Sequence, residues 1–251
     1  MYYVLDTNIW LDLTRGKISC AELSSKAHIQ VVVAPFVIME LMKETVKHKG
    51  KYFANDQGVF QCMAKFRVLE LTKVFIHQRL WNSGEEASAR VGPENYKKLL
   101  QMIVDSGSYD EFIERTKSAG SEWFQAENWD VTHEGVLDKE LRAVDQLAKV
   151  DPKSIATGLA KLYPFKGSFP KEDSIETEFS AALEYLRSVI VKVRNGANLA
   201  KNDRGMFVDF QILFYLADPN ATIVSNEDFS SEISKSPHKD RIVTLAQFLA
   251  L

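Results

Sequence analysis

The chain opens with Met1-Tyr2-Tyr3-Val4-Leu5-Asp6-Thr7-Asn8-Ile9-Trp10, and its fold class follows from this segment. A β-branched and aromatic run of strand length ends in a carboxylate, a hydroxyl and an amide, from Asp6, Thr7 and Asn8. Ligands and catalytic groups of open α/β sheets gather beyond the carboxyl ends of the strands, so Asp6 is a candidate site residue. The alternative is that Asp6 caps a helix beginning near Ile9.

A second carboxylate follows the next predicted strand. Val31-Val32-Val33-Ala34 is a continuous apolar run, typical of a strand buried on both faces of a parallel sheet. Pro35 starts a helix at its favoured first-turn position, and Glu40 follows among apolar neighbours. An acid early in a helix also interacts favourably with the helix dipole, but that does not require apolar surroundings. We therefore expect Glu40 to point toward the strand ends.

The last third of the chain repeats this pattern of acid and strand. Asp209 is the only charged residue in the apolar stretch 208–217, where an unpaired buried charge would be costly, so it should face a cation or an open cleft. Ala221-Thr222-Ile223-Val224 predicts another buried strand. This strand delivers four polar residues at its carboxyl end, Ser225, Asn226, Glu227 and Asp228.

Three further segments complete the predicted secondary structure. The stretch 59–81 is ambiguous, because Phe66–Leu71 fits either a third strand or part of a longer helix. Residues 174–194 predict the longest helix, with apolar residues at helical spacing. Residues 241–249 predict a closing edge strand and a short helix.

The ordered set of acids resembles the PIN-domain nucleases, metal-dependent enzymes that cut RNA. The resemblance implies an α/β fold with three α/β/α layers and a central, mainly parallel sheet. It covers residues 1–81 and 172–251, which would form one discontinuous PIN-like catalytic domain. Residues 82–171 carry turn signals and helical apolar spacing, which predict an all-helical insertion packed on that domain.

The resemblance also implies a catalytic centre built from acids that bind metal: Asp6, Glu40, Asp209, Glu227 and Asp228. The family usually has Asp where this chain has Glu227, so either Glu227 or Asp228 could serve, with the offset from Ser225 favouring Glu227. Thr7, Asn8, Ser225 and Asn226 would support these ligands. Mg²⁺ and Mn²⁺ are the expected cofactors, because both prefer carboxylate oxygens and can activate water for phosphodiester cleavage.

The function implied is endoribonuclease cleavage of single-stranded RNA, whose backbone is accessible to an open cleft. The basic residues expected to contact phosphate are Lys43, Lys192, Arg194 and Arg204. A toxin-type RNase would have an antitoxin-like protein partner, and a homo-oligomer stays open. The main alternative is an inactive PIN-like module that binds RNA or protein. A haloacid dehalogenase-type phosphatase would need a second Asp where this chain has Asn8.

Composition narrows the class of protein. The net charge of -3 and a pI of about 6.0 argue against a protein that coats nucleic acid nonspecifically. A signal peptide is not expected, because no basic segment precedes the first apolar run and Asp6 interrupts it. We expect a cytoplasmic protein without membrane contact. Cys20 and Cys62 lack metal-ligand spacing, and we expect both to be reduced apolar fillers.

Overall fold

The computed structural model describes residues 1–25, 29–81, 93–119, 172–195, 210–229 and 231–251. Within these ranges the chain is an α/β protein with one five-stranded sheet. The strands are β1 (Tyr2–Leu5), β2 (Gln30–Val33), β3 (Arg67–Val68), β4 (Ala221–Val224) and β5 (Ile242–Val243). Every pairing is parallel and the order is β3-β2-β1-β4-β5, which is consistent with a three-layer α/β/α fold.

Helices account for most of the remaining described residues. They are α1 (Thr7–Thr14), α2 (Cys20–Ser24), α3 (Pro35–Lys47), α4 (Phe53–Met63), α5 (Thr72–Trp81), α6 (Pro93–Val104), α7 (Tyr109–Ser118), α8 (Glu172–Glu178), α9 (Ser180–Arg194) and α10 (Leu245–Leu249). Two 3-10 helices span Phe214–Ala217 and Lys239–Arg241. No helix in the described ranges is long and apolar enough to cross a bilayer.

The predicted strands are confirmed where an apolar run is buried on both faces. β1 and β4 are buried at every position, and β2 at all but its first. In the ambiguous stretch 59–81, Phe66–Leu71 contains the two-residue β3 between α4 and α5, so the third strand is confirmed and the longer helix is wrong. The single helix predicted over 174–194 is instead two helices, α8 and α9, separated at Phe179.

The strand order creates a crevice between the carboxyl ends of β1 and β4. The chain runs from β1 to β2 and β3 on one side and then returns to β4 and β5 on the other side of β1. Asp6 at the end of β1 donates its backbone N–H to Val224 O of β4 at 3.0 Å. Such a reversal of strand order is where open α/β sheets bind ligands.

The described part of the predicted insertion consists of α6 and α7. Buried residues of α6, including Tyr96 and Leu99, belong to the same hydrophobic core as the sheet. Gln57 on α4 donates to three carbonyl oxygens at the end of α6, those of Ile103, Val104 and Ser106, at 2.7 to 3.0 Å. The segments 82–92 and 120–171 lie outside the described residues, so the division into a domain and an insertion stays a prediction.

The two cysteines form a disulfide between α2 and α4. Cys20 and Cys62 are 42 positions apart in sequence, and their Cα atoms lie 5.6 Å apart. The expectation of two reduced, unpaired thiols is therefore wrong for this structure, because tertiary packing of two helices brings them together. Disulfides persist in oxidising compartments and are rare in cytosolic proteins, so the cytoplasmic setting stays a prediction.

Replacing Cys20 with Ser is expected to lower the free energy of unfolding by about 2–4 kcal/mol without reductant, because the cross-link restricts the unfolded chain. Urea unfolding with and without dithiothreitol measures this difference. With the reductant, Cys20→Ser and wild type should have equal stability. Free thiols at both positions in the untreated wild-type protein would contradict the pairing.

Candidate active site

Asp6 lies at the end of β1, on the crevice, and is only 2% exposed. Its Oδ1 accepts a hydrogen bond from the backbone N–H of Thr7 at 2.7 Å, so Asp6 is the N-cap of α1. Its Oδ2 accepts from Asn8 Nδ2 and from Ser225 Oγ, each at 2.7 Å. The capping interpretation is thus confirmed, but it accounts for one oxygen only. The second oxygen joins α1 to the end of β4.

Glu40 is held beside Asp6 by Thr7, which hydrogen-bonds to both acids. Glu40 lies in the second turn of α3 and is partly buried. Thr7 Oγ1 donates to Glu40 Oε2 at 2.5 Å. Thr7 therefore serves both acids, since its backbone N–H binds Asp6 and its hydroxyl binds Glu40. The two carboxylates predicted on separate elements are thus joined by this single residue.

The segment after β4 supplies the other wall of the crevice. Ser225 Oγ accepts from Asn8 Nδ2 at 3.1 Å and from the backbone N–H of Glu227 at 3.0 Å, while donating to Asp6. Asn226 donates its backbone N–H to Asn8 Oδ1 at 3.2 Å. A buried serine hydroxyl has one proton and two lone pairs, and all three are used here. Three of the four residues predicted to support the acids, Asn8, Ser225 and Asn226, are thus linked by hydrogen bonds, while Thr7 binds the acids themselves.

Burial dominates the electrostatics of both central acids. The pKa of Asp6 is raised to about 6 because burial outweighs the hydrogen bonds from Ser225, Thr7 and Asn8, which favour its charged form. The pKa of Glu40 is raised to about 7, chiefly by burial and against the hydrogen bond from Thr7. The charge of Asp6 adds to the rise at Glu40. Both acids are therefore costly to ionise in the metal-free protein.

Glu227 is the third acid that acts on this pair. Its negative charge raises the pKa of both Asp6 and Glu40, although its own side chain is exposed. Asp228, one residue later, is also exposed. The influence on both acids supports Glu227 as an acid of the β4 end that belongs to the site.

This chain matches no protein-family model, no curated protein and no solved structure. The geometry and chemistry of the crevice are therefore the basis for a functional conclusion. They comprise one buried and one partly buried carboxylate held by hydroxyl, amide and backbone donors, with a third acid nearby.

Asp12 is a supporting residue that the sequence did not reveal. It is 4% exposed, it lies on α1, and its Oδ2 accepts from Asn226 Nδ2 at 3.0 Å. Its Oδ1 pairs with Lys17 at 2.8 Å and Arg15 at 3.3 Å, and hydrogen bonding to Lys17 is the main cause of its lowered pKa. Asp12 stays charged and holds Asn226 at the crevice. Its signal in the sequence was only an acid six residues after Asp6.

Several predicted residues are not placed in the crevice. Asp209 and Arg204 lie outside the described residues. Lys192 on α9 forms an ion pair with Glu232 at 2.5 Å, and Arg194 is exposed at the end of the same helix. Lys43 is partly buried on α3, one turn after Glu40. Of these basic residues, Lys43 is the one that shares a helix with a central acid, Glu40.

The described residues include ligands of the type that a divalent cation prefers, but fewer of them than a cation site needs. Asp6 and Glu40 supply the hard carboxylate oxygens that Mg²⁺ and Mn²⁺ prefer. Among the described residues, however, no three His, Cys, Asp or Glu side chains lie close enough together to hold a metal ion. The predicted ligand Asp209 is outside these ranges. A cation would therefore need ligands beyond the Asp6 and Glu40 pair, including water.

A groove that begins at Glu40 lies between α1, α3 and the start of α4. Its volume is about 490 Å³, within the roughly 300–1,000 Å³ of small-ligand pockets. Thr7 and Glu40 line one end, and His48, Tyr52 and Asn55 line the other. We call it the α3–α4 groove. Its lining extends from Thr7 and Glu40 to the start of α4.

Proposed function

We propose that this protein is a PIN-type, metal-dependent endoribonuclease that hydrolyses phosphodiester bonds of single-stranded RNA. The observation that carries the proposal is that Asp6, which is buried, and Glu40, which is partly buried, are joined by Thr7 at the β1–β4 crevice. Carboxylates withdrawn from water beside another acid disfavour ionisation unless a cation is present. A fold that keeps them there is typical of a cation site.

The order of the elements supports the PIN resemblance. The resemblance implies one acid after the first strand, one early in the helix after the second, and one after a strand near the end of the chain. Asp6 follows β1, Glu40 lies on α3 directly after β2, and Glu227 follows β4. β1 pairs with both β2 and β4, so these three positions belong to neighbouring elements.

The chain's own residues would orient the site. Asp6 and Glu40 would hold Mg²⁺ or Mn²⁺, with Asp209 and Glu227 as further ligands. When bound, such an ion activates water and offsets charge at the phosphodiester. Thr7, Asn8 and Ser225 fix the Asp6 and Glu40 oxygens through hydrogen bonds, as supporting residues of metal sites do.

RNA is the substrate and partner that follows from this proposal. An exposed rim with an acidic interior suits a single strand whose backbone can approach the crevice. A toxin-type RNase is one form of this function, and it would require an antitoxin-like protein that covers the same crevice. The described residues include no helix able to cross a membrane.

Sequencing of RNA ends is the direct test. Single-stranded RNA is incubated with wild type or Asp6→Asn, in Mg²⁺, in Mn²⁺ or with chelator. We expect new ends only with wild type and metal. Ends that also appear with Asp6→Asn would indicate a contaminating nuclease, and the absence of new ends in either metal would contradict the proposal.

A second candidate function is RNA or protein binding without cleavage. Two observations favour it: both Asp6 oxygens already accept hydrogen bonds, and the described residues lack a group of three ligands. The Glu at the usual Asp position, Glu227, points the same way. Binding of RNA without new ends in either metal would support this candidate.

A further inference from the structure

Tyr52 is an exposed aromatic residue at the far end of the α3–α4 groove. Its side chain is 47% exposed, whereas the large aromatics of the described core are buried. It precedes α4 at the N-cap position without making a side-chain capping bond. The ring centroid lies 5.7 Å from that of His48 in an edge arrangement and 5.1 Å from Lys51 Nζ. The ring is thus kept at the surface by polar neighbours.

The turn before α4 fixes the position of Tyr52. Lys49 and Gly50 both have positive φ, 48° and 68°, in the left-handed region. A side chain at Gly50 would collide with the ring and Cβ of Tyr109, so the turn packs directly on α7. The Gly50 N–H also donates to Thr45 O at 3.1 Å. Tyr52 therefore projects from a backbone that is already ordered.

The charges around the groove favour an uncharged ring as its occupant. Glu40, Glu44 and Asp56 line the walls, and these carboxylates would repel a phosphate. Lys49 and Lys51 are exposed on the neighbouring turn, outside the groove lining. A nucleotide fits this pattern when its base enters the groove and its phosphate stays near the lysines. Bases stack on aromatic side chains largely regardless of sequence.

We infer that the α3–α4 groove is a base-binding subsite, in which a base flanking the scissile phosphate of single-stranded RNA stacks on Tyr52. The inference deepens the proposed nuclease function and rests on it, because only a nuclease has a scissile phosphate. Glu40 and His48 are eight residues apart on or beside α3, about 12 Å along a helix. The nucleotide whose base is held at Tyr52 therefore lies beside the cleavage point and is not joined by the cleaved bond.

Equilibrium binding of a fluorescent RNA to the metal-free protein tests the subsite. The probe is a single-stranded oligonucleotide of about ten residues, which spans typical single-strand sites. With chelator present, wild type does not cut the probe. Tyr52→Ala should raise the dissociation constant about 5- to 150-fold, the range for losing one base–aromatic stack. Tyr52→Phe and Tyr52→Trp, which keep the aromatic face, should bind like wild type.

Val191→Ala is the matched control, because Val191 is 49% exposed on α9 and does not line the groove. Its binding should equal that of wild type, and melting temperatures should show all variants folded. Equal binding by Tyr52→Ala and wild type would overturn the subsite. Tyr52-dependent binding of double-stranded RNA as tight as that of the single strand would also overturn it, because paired bases cannot stack on the ring.

Binding and cleavage results separate this inference from the proposed function. Tyr52-dependent binding without cleavage in Mg²⁺ or Mn²⁺ would support the subsite and contradict the nuclease function. Cleavage by wild type and Tyr52→Ala with equal KM would support the nuclease function and contradict the subsite. A deoxyribonucleotide probe of the same sequence distinguishes the source of the base, and weaker binding of this probe would support RNA.

Discussion

Asp6→Asn is expected to lower the rate of RNA cleavage by about two to three orders of magnitude, the typical cost of losing one charge-stabilising group. Asn retains an oxygen for the Thr7 N–H, so the cap of α1 can persist. It lacks the negative charge that would hold a cation, and its amide group faces the donor of Asn8. Single-turnover cleavage of a labelled RNA in saturating Mn²⁺ measures the change.

Glu40→Gln should cause a loss of similar size, because it removes the second carboxylate and keeps an oxygen for the Thr7 hydroxyl. Asp240→Asn is the control for loss of one acid, since Asp240 is exposed on a 3-10 helix. Cleavage by Asp6→Asn or Glu40→Gln within about threefold of wild type would contradict a carboxylate metal site, since the expected losses are about 100- to 1,000-fold.

The same assay decides between the two acids after β4. Glu227 raises the pKa of Asp6 and Glu40, so Glu227→Gln should slow cleavage, whereas Asp228→Asn should leave the rate near that of wild type. The reverse result would assign this role to Asp228 instead of Glu227.

The fold was predictable where burial leaves a simple pattern in the sequence. β1, β2 and β4 are central strands, and their continuous apolar runs are the expected result of cover on both faces. β3 and β5 are two-residue edge strands, whose short pairing with one neighbour leaves no periodicity to detect. The ends of central strands also predict where side chains converge. This is why Asp6 and Ser225 could be placed in one site.

The parts of the site that could not be predicted depend on tertiary contacts. A three-residue motif does not indicate that Thr7 binds both acids, because the second bond reaches a helix 33 residues away. Asp12 meets Asn226 across 214 positions. The Cys20–Cys62 pair has the same origin. Lys192 was predicted to contact phosphate, yet it pairs with Glu232, a partner that helix periodicity cannot identify.

Metal-free wild type is expected to lose stability as the pH rises from about 4.5 to about 7. The pKa of Glu40 is 4.5 ordinarily and about 7 in the folded protein. Between these values the folded state holds a proton that the unfolded chain has released, so raising the pH favours unfolding. The loss attributable to Glu40 is about 3 kcal/mol, at 1.36 kcal/mol for each pKa unit. Asp6, with its pKa near 6, adds a loss in the same direction.

Urea unfolding of wild type and Glu40→Gln in chelator at pH 4.5, 6 and 8 measures this effect. Gln is uncharged throughout, so the variant should gain on wild type as the pH rises, by up to about 3 kcal/mol at pH 8. Glu94→Gln, at an exposed acid on α6, is the control and should keep the wild-type pH profile. A parallel profile for Glu40→Gln would show that Glu40 is not forced to ionise in a buried setting.

Adding Mn²⁺ should reverse the trend for wild type, because a cation offsets the charges that burial makes costly. At a concentration about 100 times the dissociation constant, binding to the folded state adds about 2.7 kcal/mol. The gain should be large at pH 8 and small at pH 5, where Glu40 and Asp6 hold protons that compete with the ion. A pH-dependent gain that Glu40→Gln abolishes would identify the buried pair as the cation site without any activity measurement. Equal stability with and without Mn²⁺ at pH 8 would instead favour the binding module.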